Sequence, residues 1–235
     1  MPQNLAVAMQ QQRNSCQPER AHMMKAFGAE VILIDQLPEP KLGQVSGADL
    51  ALVEESAQRI TKERNAFRAD QFRLESSSRA HYLHTVPEIL QQANGKVDVF
   101  CDFVGTGSTA GGCFAAFKEY DQNIQCYIIE PAEAGILAGK AVTNPNHRIQ
   151  GGGYTMTDMP LINKGLIDGY LEVTDEDAMD VTRRLAKEEG IFAGFSSGAN
   201  VAVAMQLLKT TCKGKTIAVL LGDSGLKYLS TDLWP

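Results

Sequence analysis

No apolar run in this chain reaches the roughly twenty residues that cross a bilayer, and no hydrophobic segment of a secretory signal opens it. No block or stripe of lysine and arginine stands out. The 22 basic residues face 28 acidic ones, for a formal net charge of −6, which makes nucleic acid and anionic membrane poor partners. Cysteines are few. Cys16, Cys101, Cys113, Cys126 and Cys212 are too scattered for a disulfide framework and form no CxxC pair; Cys101, Cys113 and Cys126 sit in apolar runs, as buried free thiols of a reducing compartment do. Internal repeats are absent. The one biased tract, around Gln10-Gln11-Gln12, belongs to a polar opening, residues 1–16, read as poorly ordered. Together these absences lead us to expect a soluble, cytoplasmic protein.

What is present is a chain of 235 residues, 44% hydrophobic, enough for one large domain or two small ones. Its most informative run is Gly105-Thr106-Gly107-Ser108-Thr109, between an apolar strand candidate at residues 97–103 and a helix candidate opening near Thr109. Small residues let main-chain N–H groups approach an anion, and a helix N-terminus adds unpaired donors and partial positive charge, so the ligand is expected to carry a phosphate. Further strands are expected at residues 31–34, covered on both faces, then at 125–129, 170–173 and 216–221, the last also buried. Helices are expected at 18–27 with Met23, Met24 and Phe27 on one face, at 47–64, at 80–93 with Pro87 kinking or restarting it, at 174–189 behind a Thr174–Asp177 capping box, and at 196–208. Residues 144–153, with three consecutive glycines, read as loop. Strands alternating with helices at this spacing imply an α/β fold with a doubly wound, mostly parallel sheet.

Two cofactor classes compete for the glycine turn. Gly105, Gly107 and Gly111 approximate a dinucleotide fingerprint, with Glu130 at the end of the next strand as the acid that would hold a ribose. The spacing to Gly111 is one residue too long, however, and the strand ahead of the turn is not the first of the sheet.

The second reading rests on six co-linear motifs. Glu19-Arg20 with residues 26–31 resembles ER…fGAEv. Gln71-Phe72, Ala80-His81 and residues 85–89 resemble QFxNxxN…aH…T.pEI. Residues 105–109 are similar to GTGGT, and residues 147–154 to HxIQGIG. Residues 188–199 resemble eEGi..GiSSGA, and residues 223–231 resemble DSGerYLST. The chain thus resembles the cysteine synthase (O-acetylserine sulfhydrylase) and cystathionine β-synthase family of pyridoxal-phosphate enzymes, and the co-linear matches decide against the dinucleotide. The resemblance implies the tryptophan-synthase-β fold (fold type II), incomplete at its N-terminus. Residues 17–95 are then the remnant of a smaller substrate-side domain, and residues 96–235 the larger domain that binds the cofactor phosphate.

The resemblance also implies roles. Gly105, Thr106, Gly107, Ser108 and Thr109 would cradle the phosphate of pyridoxal 5'-phosphate; Ser196 would meet its ring nitrogen, unless it serves only as a helix N-cap. Gln71, Gly152 and Tyr154 would contact a small amino-acid substrate. The implied chemistry is β-replacement on O-acetylserine or serine by a thiol or related nucleophile, in a homodimer. Tyr154 points to a cystathionine β-synthase or β-cyanoalanine-forming variant. His81 and His84 share a helix face but indicate no third ligand, so no metal is expected.

The chain departs from the family pattern at three places. Leu74 and Ser77 stand where QFxNxxN has asparagine, and Ser108 where GTGGT has its last glycine. The Schiff-base lysine of the family lies in an S-x-K-D-R-type segment upstream of the first match, and none of this chain's lysines stands in such a segment. No catalytic residue is therefore assigned. The cofactor is expected to be held without a covalent bond and the chain to be nearly inactive. A truncated gene product, a pseudoenzyme and a piece needing another chain all fit, as does a non-catalytic protein that binds a partner's peptide in the old cleft.

Overall fold

The computed structural model describes residues 7–12, 18–35 and 47–234. It divides into two compact units, one running to Arg68 and resuming at Ser224, the other spanning Ala69–Asp223.

In the first unit, β1 (Val7–Gln12) pairs in parallel with β2 (Glu30–Asp35), Val7 opposite Glu30. The glutamine-rich opening thus contains a strand where disorder was expected. Parallel pairing is made by main-chain groups, which glutamines supply as well as any residue. Cys16 lies outside the described residues. Between the two strands runs α1 (Pro18–Ala26), stopped by Gly28 at φ +84°; the Ala29 N–H returns to the Met24 carbonyl at 3.0 Å. This helix buries Ala21, whereas Phe27 is 86% exposed and Met23 is exposed too, so the expected apolar face is not its packed face. β2 is half-buried rather than covered on both sides, as befits a two-stranded sheet. α2 (Gly47–Glu63) follows and buries Ala57 and Ile60. The chain from Ser224 completes this unit. There the Arg20 guanidinium sits 5.0 Å from the Tyr228 ring centroid, and the Glu19 carboxylate accepts from the Ser230 amide at 2.7 Å.

The second unit opens with α3 (Glu75–Ala80), a π turn over His81–Thr85 and α4 (Val86–Gln92). The sequence led us to expect Pro87 to kink or restart the helix, and α4 restarts there, with Pro87 in its first turn behind the π turn. Proline has no N–H and crowds the carbonyl four residues back, so the preceding turn widens and the Val86 N–H bonds the His81 carbonyl. A four-stranded, wholly parallel sheet follows in the order β5-β4-β3-β6, built from β3 (Val99–Phe103), β4 (Gln125–Pro131), β5 (Gly169–Val173) and β6 (Ile217–Val219). β3 is buried along its whole length, between α5 (Ser108–Tyr120) and α7 (Phe195–Lys209). β6 is shorter than expected and only half-buried, because it is an edge strand. α6 (Asp175–Glu189) begins on the expected cap, with Thr174 Oγ1 accepting from the Asp177 amide at 3.1 Å, and stops at Gly190, φ +70°.

The core of this unit gathers Phe100, Phe114, Phe117, Ile124, Ile128 and Val86, with the Phe100 and Phe117 rings 5.1 Å apart. Cys101, Cys113, Cys126 and Cys212 are buried free thiols; desolvation pushes Cys101 and Cys126 up to about 12, so neither is a thiolate at neutral pH. Among the described residues no helix is long and apolar enough to cross a membrane.

One glycine sets the approach of α3 to α5. A Cβ at Gly112 would stand 2.0 Å from the Ser78 carbonyl oxygen, a main-chain atom that cannot rotate away. Gly112→Ala is expected to force the two elements apart and lower stability by about 1–3 kcal/mol, read as the urea midpoint.

Candidate functional site

The order β5-β4-β3-β6 reverses between β3 and β6, and in open parallel sheets the crevice at the carboxyl ends of such strands is where ligands sit. Asn200 of α7 clamps those two ends together. Its Oδ1 accepts from the Phe103 amide at 2.7 Å and its Nδ2 donates to the Leu220 carbonyl at 2.8 Å.

From β3 the chain enters the glycine turn. Gly107 takes φ +85°, a left-handed conformation open to glycine at little cost, and becomes the N-cap of α5 without offering a side chain. Among the described residues, the amides of Gly105, Thr106 and Gly107 bond no main-chain carbonyl. The Ser108 amide has only Thr106 Oγ1, at 3.5 Å, and the next first-turn amides have no acceptor within the helix. Unspent donors at the positive end of a helix suit an anion.

Two other segments close around the turn. The first is the triple-glycine loop. The Gly153 amide donates to the Val104 carbonyl at 2.9 Å, and a Cβ at Gly105 would lie 2.4 Å from the Gly151 carbonyl oxygen, so backbone meets backbone here. His147 fastens the loop through Nε2 to the Gly153 carbonyl at 2.9 Å, and burial holds its imidazole below the ordinary value. Gly152 is buried in this loop, and Tyr154 turns its ring toward Phe72, centroids 6.4 Å apart. The second is the segment around Gln71, whose main-chain carbonyl accepts from Ser108 Oγ at 3.2 Å while its side chain stays exposed. His81 reaches Thr109 Oγ1 through Nε2 at 3.3 Å and Thr85 through Nδ1 at 3.0 Å.

Gly105–Thr109, Gly152, Tyr154 and the Gln71 backbone thus meet at one place. Ser196 stands on the first turn of α7, four residues before the Asn200 clamp; the N-cap is Gly194, so the Ser196 hydroxyl has no capping duty. Glu130 is already engaged. Its carboxylate accepts from the amides of Leu137 at 2.8 Å and Ala138 at 2.9 Å, leaving little to hold a ribose. Gly111, third in the dinucleotide spacing, packs against the Leu161 carbonyl. Sequence reasoning missed Asn200, although a lone asparagine within the apolar Ala199–Ala204 run was a visible signal. It also missed Ser77, which hydrogen-bonds Ser108.

A donor-lined turn at the switch point of a parallel α/β sheet suits a phosphate-bearing ligand. Pyridoxal phosphate fits the donors present at its phosphate end. The model of the family described as "Pyridoxal-phosphate dependent enzyme" matches residues 6–223, and the chain belongs to that family. Within it the similarity runs to cysteine synthases. The chain is 37% identical over 217 residues to the cysteine synthase of Staphylococcus aureus (strain Mu50), covering 92% of this chain and 66% of that relative. It is 36% identical to cysteine synthase 3 of Caenorhabditis elegans, again over 92% of this chain, and spans 61% of that relative. Superposition on the O-acetyl serine sulfhydrylase isoform 3 of Entamoeba histolytica gives a TM-score of 0.80 at 27% identity, covering 100% of this chain and 73% of that one. The fold is therefore that of the fold type II pyridoxal-phosphate enzymes.

Behind the turn, Asp102 is a buried carboxyl. Desolvation raises it to about 7, against a smaller downward pull from Asn200. The folded chain then binds more protons than the unfolded chain from about pH 4 to pH 7, so this group's contribution to stability falls as pH rises through that window. Asp102→Asn is expected to remove that slope: wild type minus variant should be more favourable at pH 5 than at pH 7.5, measured by urea unfolding.

Proposed function

We propose that this chain holds pyridoxal 5'-phosphate non-covalently, in a site built for β-replacement on O-acetylserine or serine by a sulfur nucleophile. The observation that carries the reading is the turn itself, with its unspent amides at Gly105–Gly107 packed under the loop that bears Gly152 and Tyr154. When bound, the cofactor supplies an electron sink for chemistry at the amino acid's β-carbon. The chain's own residues bind and orient. The turn amides and the first turn of α5 take the phosphate, with Thr106 and Thr109 beside them. Ser196 meets the ring nitrogen with a hydroxyl too weakly acidic to protonate it, which keeps the sink mild and favours β-chemistry over transamination. Gln71, Gly152 and Tyr154 line the amino-acid end. A homodimer resident in the cytoplasm belongs to the same reading.

The 12 lysines include none in a serine-x-lysine motif, so none is assigned to the cofactor's aldehyde or to moving the substrate's α-proton.

Titration with pyridoxal phosphate, borohydride reduction and peptide mapping test this reading. The expected result is saturable binding that is lost on dialysis, with no single lysine modified. A stoichiometric adduct on one lysine overturns the non-covalent reading. Binding of a nicotinamide dinucleotide with none of pyridoxal phosphate overturns the whole assignment.

A further inference from the structure

Two departures from the family pattern lie 31 residues apart in sequence and meet in space. Ser77 Oγ stands 2.9 Å from Ser108 Oγ. Ser108 is 7% exposed, and its oxygen also lies 3.0 Å from Thr106 Oγ1 and 3.2 Å from the Gln71 carbonyl. Ser77 in turn donates to the Leu74 carbonyl at 2.7 Å. Three hydroxyls therefore knit the anion turn to both ends of the Gln71–Ser77 segment.

The protons can be followed. A carbonyl only accepts, so the Ser77 proton goes to Leu74. Ser77 then has lone pairs left for the Ser108 proton, which it shares with the Gln71 carbonyl. Thr106 is the remaining donor and can point either at Ser108 or outward at an anion. Glycine at 108 would leave the Gln71 carbonyl and Ser77 without this partner. The longer asparagine of the family pattern at 77 would place an amide donor in the space that glycine vacates. The two serines thus read as a matched exchange.

We infer that Ser77 and Ser108 are paired positioning residues, which tie the Gln71 segment to the anion turn and so set where the substrate-side main chain stands relative to the bound phosphate. The role in substrate placement rests on the pyridoxal-phosphate reading; the tie itself does not.

The test uses amide hydrogen exchange of residues 71–77 in the ligand-free chain, with residues 99–103 as internal reference. Ser77→Ala and Ser108→Gly are each expected to speed exchange at 71–77 about fivefold, as loss of one net hydrogen bond does, with the reference unchanged. The double variant Ser77→Ala/Ser108→Gly should fall short of the product of the two single effects, because the Ser77–Ser108 bond is lost in each single and only once in the double. Ser77→Asn/Ser108→Gly should return the segment to wild-type exchange. Unchanged exchange in the singles, additive effects in the double, or equal acceleration at 71–77 and 99–103 would overturn the inference. No cofactor enters this readout, so a failure to bind pyridoxal phosphate leaves it decisive. Where the cofactor binds, Ser77→Ala, which lies outside the phosphate cradle, should also weaken L-serine binding to the loaded chain about fivefold, leaving cofactor affinity within twofold. Loss of both affinities together points to a merely structural pair and overturns the positioning role.

Discussion

The second unit depends on a left-handed turn that lets main chain touch main chain. At Gly107 the backbone takes φ +85°, and at Gly105 it passes so near Gly151 that no side chain fits between. An alanine at either position would change the turn's conformation or lift the loop that carries Gly152 and Tyr154. The amides left unspent follow from the same geometry. A strand that ends, bends left-handed and restarts as a helix spends few of its N–H groups on its own carbonyls. The anion-binding character is therefore a by-product of the turn's shape, reinforced by the dipole of the helix it opens.

Around that turn the titratable groups are engaged or have their charged forms disfavoured by burial. Glu130 is occupied by two amides, His81 and His147 are held below their ordinary values by burial, and Asp102 is raised to about 7. The turn thus offers a negative ligand oriented main-chain dipoles. Such a site discriminates by geometry, because preorganised amides need no reordering when the anion arrives.

Local chemistry made part of this legible from sequence. The Thr174 cap, the Gly190 stop, the buried run of β3 and the glycine turn are each settled by neighbours a few residues away. Elements that depend on distant partners were not legible. Pairing with Glu30–Asp35 makes a strand of Val7–Gln12, which composition alone reads as disordered. The two departures at Ser77 and Ser108 looked like separate blemishes until folding placed their hydroxyls 2.9 Å apart. The boundary read at residue 95 also depends on contacts. α3 and the π turn pack on α5, and the compact unit accordingly opens at Ala69.

The most direct measurement of the central claim is a backbone amide NMR titration of the ¹⁵N-labelled chain with pyridoxal 5'-phosphate. The account predicts the largest shifts at the amides of Gly105, Thr106, Gly107 and Thr109, with Ser196 following at the far end of the ring. Saturable binding whose shifts spare that turn and cluster elsewhere would contradict it.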